Sequence, residues 1–599
     1  MGEKNIKSRN DIDPKYKWKI ELMYPDRKSW EGDVDAAMEM TENFLSYQGR
    51  LGESSDTLLS ALKDLDAINM KFEKAYCYAK MKQDEDNRLG SSQEMLGIIT
   101  ARAAEAGAST SFFSPELLSL SEEKLSGFLD ENPELKAYDF VIKDSLRMKE
   151  HVLSEKEESI LARLSEVTGA SDNIQSMLSD ADLKFGKVKD SDGKKVELSH
   201  GNYINFMESP DRKVRKQAFT KMYEAYKNHI NTFAAVYGTS VKADVTGAVI
   251  RGYDSARQAA MSSGNIPESV YDNLIEAVHE NLPVLHRYIT LKKKILGVKN
   301  LKMYDVYAPL VSVPETEISF EEAVEMMKEC LAPLGEEYIS RLTKGVESGW
   351  IDVYETPGKT SGAYSFGSYD SYPYILMNYT GKLQDVLTLV HECGHSMHSS
   401  YTREAQPFTY GDYSIFVAEV ASTVNESLTL KHLLDKEKDV EMRKYLLFKY
   451  IEEFRATVFR QTMFAEFELA AHRLVEEGGS LTAQWLCETY DRLNTLYFGE
   501  ALSHDDMIQY EWARIPHFYR AYYVYQYATG FSAATAIADR ILSEGATAVE
   551  DYIKFLKTGS SMYPVDELKI AGVDMTSPEP VRDAMKTFEA LINELESLL

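Results

Sequence analysis

A mostly α, multi-helical, two-lobed fold with a small β-sheet beside one central helix is expected for this chain, on three observations. Apolar residues recur at i, i+3, i+4 and i+7 along most of its length, the mark of amphipathic helices. Only two stretches, 183–199 and 356–384, carry turn and strand signals instead. At 599 residues the chain is too long for one hydrophobic core, so two or more packed lobes are needed to bury it.

Helical spacing opens with Met38 to Leu51, Leu58 to Met81 and Glu94 to Glu105, separated by Gly and Ser breaks. Pro115 to Lys149 and Ser154 to Leu178 follow, with caps at Ser114-Pro115, Ser121 and Ser154. Asp192-Gly193 between two Val-bearing arms then predicts a β-hairpin. A seam set near residue 200 divides an N-terminal helical lobe, 1–200, from the remainder, 201–599. Helices resume at Ser209, where the basic run at 212–216 reads as a solvated first turn, and no repeat of fixed period emerges. The Gly-, Tyr- and Ser-rich stretch 356–384 contains Tyr372, Tyr374, Ile375, Leu376, Met377 and Tyr379, all of strand type, and predicts one or two strands. Val440 to Glu477 holds neither Gly nor Pro and predicts a helix of about ten turns. Leu481 to Phe498, Asp505 to Trp512, an aromatic block at 516–530 and closing helices over 531–599 complete the chain.

Composition narrows the class of function. A net charge of −28 repels nucleic acid and anionic membranes, so neither is expected as a partner. The N-terminal residues hold no apolar export segment, no run of 18 apolar residues occurs, and four cysteines lie scattered without paired spacing; a cytoplasmic protein is expected.

The chemistry concentrates at 385–426. Leu383, Val386, Leu387 and Val390 lead a helix into His391-Glu392-Cys393-Gly394-His395. Histidines four apart on a helix point the same way one turn apart, so both imidazoles can bind one zinc ion while Glu392 stands beside it. Cys393, about 200° around the helix from His391 by the 100° step per residue, points away from the metal and is read as packing. A third ligand is required. His398 shares the histidine face, but reaching one ion from three successive turns strains the helix; Glu419, on a second helix that Asp412 can cap, is preferred. Phe416, Glu419, Thr423 and Glu426 fall on one face of that second helix, which leaves Glu426, or Asp385, to orient a ligating imidazole. The strand-type residues Tyr372, Tyr374 and Tyr379 are expected to bind substrate, because a strand edge beside a metal site can pair with an extended peptide backbone. In the aromatic block, His517 with Tyr519, Tyr522 and Tyr525 at three-residue spacing would present donors along one helical face, suited to stabilising an oxyanion.

HECGHSMH, then FVAEVASTVNE, FRQTMFAEFE at 459–468 and PHFYRAYYVYQYATG at 516–530, with WKIELMYPD from Trp18, together resemble oligoendopeptidase F of the thimet-oligopeptidase family, in order and over nearly the whole chain. The resemblance implies a zincin-like zinc endopeptidase, one zinc per chain, that cleaves short oligopeptides in a deep, mostly helical channel. It implies Glu419 as third ligand, and it assigns the oxyanion role to His517, Tyr522 and Tyr525. Tyr519, whose distance from His517 is shorter than the family's spacing, is placed with the substrate-binding residues. Rival readings are a zinc exopeptidase of carboxypeptidase type, for which no charged anchor for a peptide terminus is visible, and a catalytically silent peptide-binding protein, against which the intact Glu392 argues.

Overall fold

Two of the long N-terminal helices begin at short polar side chains that cap them. Ser54 accepts the backbone N–H of Thr57 at the start of Ser55–Glu85, and Asp26 accepts that of Ser29 at the start of Arg27–Phe44. The computed structural model describes residues 6–311 and 317–599 and is mostly helical, with five short strands: β1 (Lys187–Lys189), β2 (Lys195–Glu197), β3 (Ile351–Asp352), β4 (Tyr364–Phe366) and β5 (Tyr374–Leu376). Two units are each assembled from three chain segments. Among the described residues, no helix is long and apolar enough to cross a membrane.

The first unit comprises Met1–Glu150, Glu315–His432 and Ile537–Val573. Its core packs Arg27–Phe44, Ser55–Glu85 and Gly90–Thr110 around Trp30, Leu58, Ile68, Met81 and Ile99, and the Trp30 indole N–H is satisfied by the carbonyl of Ala75 at 2.9 Å. A three-stranded sheet runs in the order β3-β5-β4, parallel between β3 and β5 and antiparallel between β5 and β4. The N-terminal segment is sewn to this sheet: Arg9 bridges Glu85 and buried Asp352, and the Tyr374 hydroxyl donates to the Lys19 carbonyl at 2.9 Å. Lys359, whose side chain is buried, pairs with the same Asp352 and donates to the carbonyls of Tyr354 and Met377, which pins the loop before β4.

Two helices of this unit carry the motifs. Leu383–Ala405 contains the His391 to His395 pentad and is held to the sheet by Ser396, whose Oγ lies 2.8 Å from Ser365 Oγ on β4 and 3.1 Å from the Pro373 carbonyl. Ile415–Lys436 crosses it at Gly394, where an added Cβ would lie 2.5 Å from Ser422 Cα and 2.7 Å from the Ala421 carbonyl oxygen. Only glycine permits backbones this close. Asn425 locks the crossing, donating to the Val390 carbonyl and accepting from the buried Tyr338 hydroxyl.

The second unit comprises His151–Pro314, Leu433–Ala536 and Asp574–Leu599. The expected hairpin is present, β1 pairing antiparallel with β2 through a turn in which Gly193 takes a φ of +80°. The run expected as one helix from Val440 is helical throughout but not uniformly α: Val440–Glu453 passes through a π-helical turn, Phe454–Phe459, into Arg460–Glu476. At that turn half-buried Glu452 is shared by Arg455, Lys292 and the Tyr288 hydroxyl, so its charge is paired within the helix array.

Gly394→Ala forces the two motif helices apart, and overpacking of this kind costs about 1–3 kcal/mol. A lower urea midpoint for the variant is expected; an unchanged midpoint would contradict the close crossing.

Candidate metal centre and active site

The crossing at Gly394 delivers three donor atoms to one point. His391 Nε2 and His395 Nε2, one turn apart on Leu383–Ala405, are 3.2 Å from each other, and Glu419 Oε2 on Ile415–Lys436 is 3.4 Å from each. Among the described residues this is the only group of three or more such ligands found close enough to hold a metal ion. The triangle matches zinc: ligands about 2.0–2.1 Å from a tetrahedral ion are about 3.3–3.4 Å apart. Two neutral imidazoles and one carboxylate are also the donor set of catalytic zinc sites that keep a fourth position open.

Neighbouring groups set the charge state. Burial opposes ionisation of Glu419, but His395, His391 and the Ser422 hydroxyl, 3.0 Å from Oε2, hold its carboxylate below the usual range. Burial likewise opposes a charge on His391, and the carboxylates of Glu426, Glu392 and Glu419 outweigh it and hold the ring above its ordinary range. A metal therefore has to displace a proton there. Glu426 Oε1 lies 3.4 Å from His391 Nδ1, the nitrogen turned away from the donor triangle. Glu392 is 7 % exposed, and its burial raises the carboxyl above the usual range against the pull of His391 and His395.

Other expected residues are placed differently. Asp385 is taken up by the start of its own helix, accepting from the Thr380 N–H and hydroxyl and the Lys382 N–H, and so is not an imidazole partner. His398 is outside the donor triangle: it is fully buried, its ring stacks on Tyr413 at 3.7 Å, and neither of its nitrogens has a hydrogen-bond partner among the described residues. Cys393 is buried in packing, and burial pushes its thiol up.

Substrate pairing along 372–379 is corrected by the sheet order. β5 lies between β3 and β4, so both of its edges are already paired. Tyr374 spends its hydroxyl on the Lys19 carbonyl, Tyr379 spends its own on that of Ile318, and Tyr372 packs against Trp350 and Tyr374. The free edge on that side of the sheet belongs to β4. Strand-type residues mark 372–379 as strand and carry no signal of whether that strand is central or at an edge.

The aromatic block belongs to the second unit and is not one continuous helix. Pro516–Tyr519 is a 3₁₀ turn, Tyr522 takes a left-handed φ of +54°, and helix Tyr525–Glu544 starts afterwards. Tyr519, Tyr522 and Tyr525 therefore do not share a helical face. Tyr522 is 2 % exposed, its ring packed on Tyr271 and His472, and its hydroxyl, like that of Tyr519, is buried without a hydrogen-bond partner among the described residues. Tyr525 is 1 % exposed and packs on the same Tyr271. His517, half-buried, instead stacks on Tyr523 and meets the Tyr527 hydroxyl at 3.4 Å. Glu468, the last residue of FRQTMFAEFE, accepts the Tyr522 N–H at 2.8 Å, a contact that the spacing within the aromatic block does not announce.

Comparison with known proteins shows the family. Residues 205–587 match the sequence model of peptidase family M3, and residues 116–185 match that of oligopeptidase F. Oligopeptidase PepF of Bacillus subtilis is 47 % identical over 99 % of this chain and 89 % of its own. The crystal structure of a peptidase from Chlamydophila abortus superposes with a TM-score of 0.91 at 38 % identity, covering 99 % of this chain and all of the other. That of oligoendopeptidase-F from Enterococcus faecium gives 0.76 at 38 % identity, over 95 % and 99 %. With a His-His-Glu donor triangle in a mostly helical chain of matching length, the protein belongs to the oligopeptidase F peptidases of peptidase family M3.

Proposed function

We propose that the chain is a zinc-dependent endopeptidase of short, unstructured oligopeptides, in which His391, His395 and Glu419 would hold one zinc ion and Glu392 is the general base. The observation that carries this reading is the triangle of 3.2, 3.4 and 3.4 Å beside a buried carboxyl. A zinc ion in that place would supply Lewis-acid activation of a water molecule and charge stabilisation at the scissile carbonyl.

The remaining steps fall to the chain's own groups. Glu392 accepts the water proton on its carboxylate and delivers it to the leaving amine. Glu426 accepts from His391 Nδ1 and so keeps the Nε2 lone pair aimed at the ligand triangle. The outer edge of β4 offers backbone groups to an extended peptide, a mode that selects unfolded segments with little regard to side chain. The oxyanion role that the family assigns to the His/Tyr block is kept as part of this reading.

The match of the family model over 205–587 supports a catalytic region at 201–599 and an N-terminal region at 1–200. Relatives named oligopeptidases support oligopeptides as the partners, and the net charge of −28 disfavours nucleic acid and anionic membranes. Four buried free thiols fit the reducing cytoplasm.

An oligopeptide blocked at both ends should be cut at an internal bond, and Glu392→Gln should lower turnover about a thousandfold or more while zinc content stays at the wild-type level. Turnover unchanged in the zinc-loaded variant would rule out Glu392 as base, and failure to cut the blocked peptide would favour an exopeptidase. In the same preparations Glu419→Ala should lose zinc to a mild chelator far faster than His398→Ala, which should lose stability through a cavity and keep its metal. The reverse order of metal loss would remove Glu419 from the ligand set.

A further inference from the structure

Charge inside the second unit is not balanced. Glu452 is shared by Arg455 at 2.8 Å and Lys292 at 3.0 Å, and Glu511 is shared by Arg460 at 2.9 Å and Arg514 at 3.4 Å. Burial opposes a charge on either carboxyl, yet Arg455 and Lys292 hold the first down at about 2 and Arg460 and Arg514 do the same for the second, so both are ionised. Four cations thus face two carboxylates, an excess of two positive charges at pH 7. Arg215 does not enlarge it, because buried Asp305 matches it, and Arg212 beyond reaches solvent. Burial brings the Lys292 ammonium down to about 8, and Arg455 and Arg215 add to this against the pull of Glu452, as an over-positive surrounding requires.

Hydrogen-bond donors are in excess as well. Arg455 is 3 % exposed and its Nη1 has no partner among the described residues; the same holds for the buried Nε atoms of Arg460 and Arg514. The carboxylates cannot absorb these donors, because Tyr288 already donates its hydroxyl to Glu452, and Tyr223 and Tyr490 donate theirs to Glu511. The three guanidiniums share one neighbour, Tyr307, which is within electrostatic range of each and whose ring centre lies 5.1 Å from the Arg455 guanidinium carbon. Tyr307 is half-buried, and the Arg460 and Arg514 side chains are 17 % and 19 % exposed, so a small ion can reach the cluster from solvent. Buried charge without a counter-charge and buried N–H groups without an acceptor are both costly, and one anion would relieve both.

We propose that Arg455, Arg460, Arg514 and Tyr307 form a binding site for one small tetrahedral oxyanion of the phosphate or sulfate type. Two negative charges cancel the excess of two, and the guanidinium fork matches the oxygens of such an ion in pairs. The site lies wholly within the second unit, uses no residue of the donor triangle, and stands independently of the metallopeptidase reading.

The test is equilibrium dialysis of the purified full chain against radiolabelled inorganic phosphate at neutral pH, with ionic strength held constant by sodium chloride. Saturable binding of one phosphate per chain is expected. Because phosphate can also bind a metal centre, Glu419→Ala is measured beside the wild type and should bind equally. Arg460→Met and Arg514→Met should each weaken binding about tenfold or more, the loss of one charge-assisted hydrogen bond. By mass action, the gap in heat-unfolding midpoint between wild type and Arg460→Met should widen as phosphate is added. Should an arginine variant fail to fold, Tyr307→Phe, which removes only a hydroxyl, should still weaken binding about threefold or more. Displacement of the label by glycerol 3-phosphate would assign the site to phosphoryl groups in general, and displacement by sulfate alone would restrict it to the free ions; either supports it. Absence of saturable binding at millimolar phosphate, full binding by both arginine variants, or loss of binding in Glu419→Ala would overturn the proposal.

Discussion

The approach of two helix backbones at Gly394 is the constraint on which the candidate centre depends. His391 and His395 converge simply because they are four residues apart on a helix. A third ligand from a different helix requires that helix to run within reach of a histidine pair whose own backbone stands in the way. With no Cβ at Gly394, Ser422 and Ala421 can lie against the motif helix, and Glu419, one turn earlier, reaches 3.4 Å from both imidazoles. Asn425 and Tyr338 then fix the crossing with buried hydrogen bonds, and Ser396 ties the other side of the motif helix to β4. Donor geometry, strand position and helix packing in the first unit thus share one origin.

The second unit solves a different problem, that of holding polar groups inside a helical array. Half-buried Glu452 and buried Glu511 are both paired, the latter by Arg460, Arg514 and two tyrosine hydroxyls. Glu468 is not: one of its oxygens holds a strained turn and the other is without a partner among the described residues. A buried carboxyl left half-satisfied is costly, and its retention beside a left-handed tyrosine is the contrast that marks this turn off from its structural neighbours.

How far the sequence could be read depended on whether the signal was local. The helical spacing, the Asp192-Gly193 hairpin and the face shared by His391 and His395 are short-range consequences of backbone geometry, and the structure carries them. Glu419 was legible because two carboxylates on one face of a helix otherwise lacking a reason for them is a local anomaly. Non-local matters were not legible. Whether β5 lies at an edge or in the centre depends on β3, which precedes it by more than twenty residues, and Asp385 could not be separated from Glu426 without knowing which one its own N-terminal turn would consume. The aromatic block failed for another reason: nothing in RAYYVYQY announces that Tyr522 adopts a positive φ, because the carboxylate that imposes it comes from 54 residues upstream.

The central claim is that this chain builds a three-ligand zinc centre from two crossing helices. Its most direct test is a crystal structure of the purified protein with anomalous data at the zinc edge, alongside elemental analysis. One zinc per chain is predicted, with its anomalous peak about 2.0–2.2 Å from His391 Nε2, His395 Nε2 and a Glu419 carboxylate oxygen. A peak bound by His398 in place of Glu419, or a stoichiometrically metal-free protein that still cleaves peptides in the presence of chelator, would contradict it.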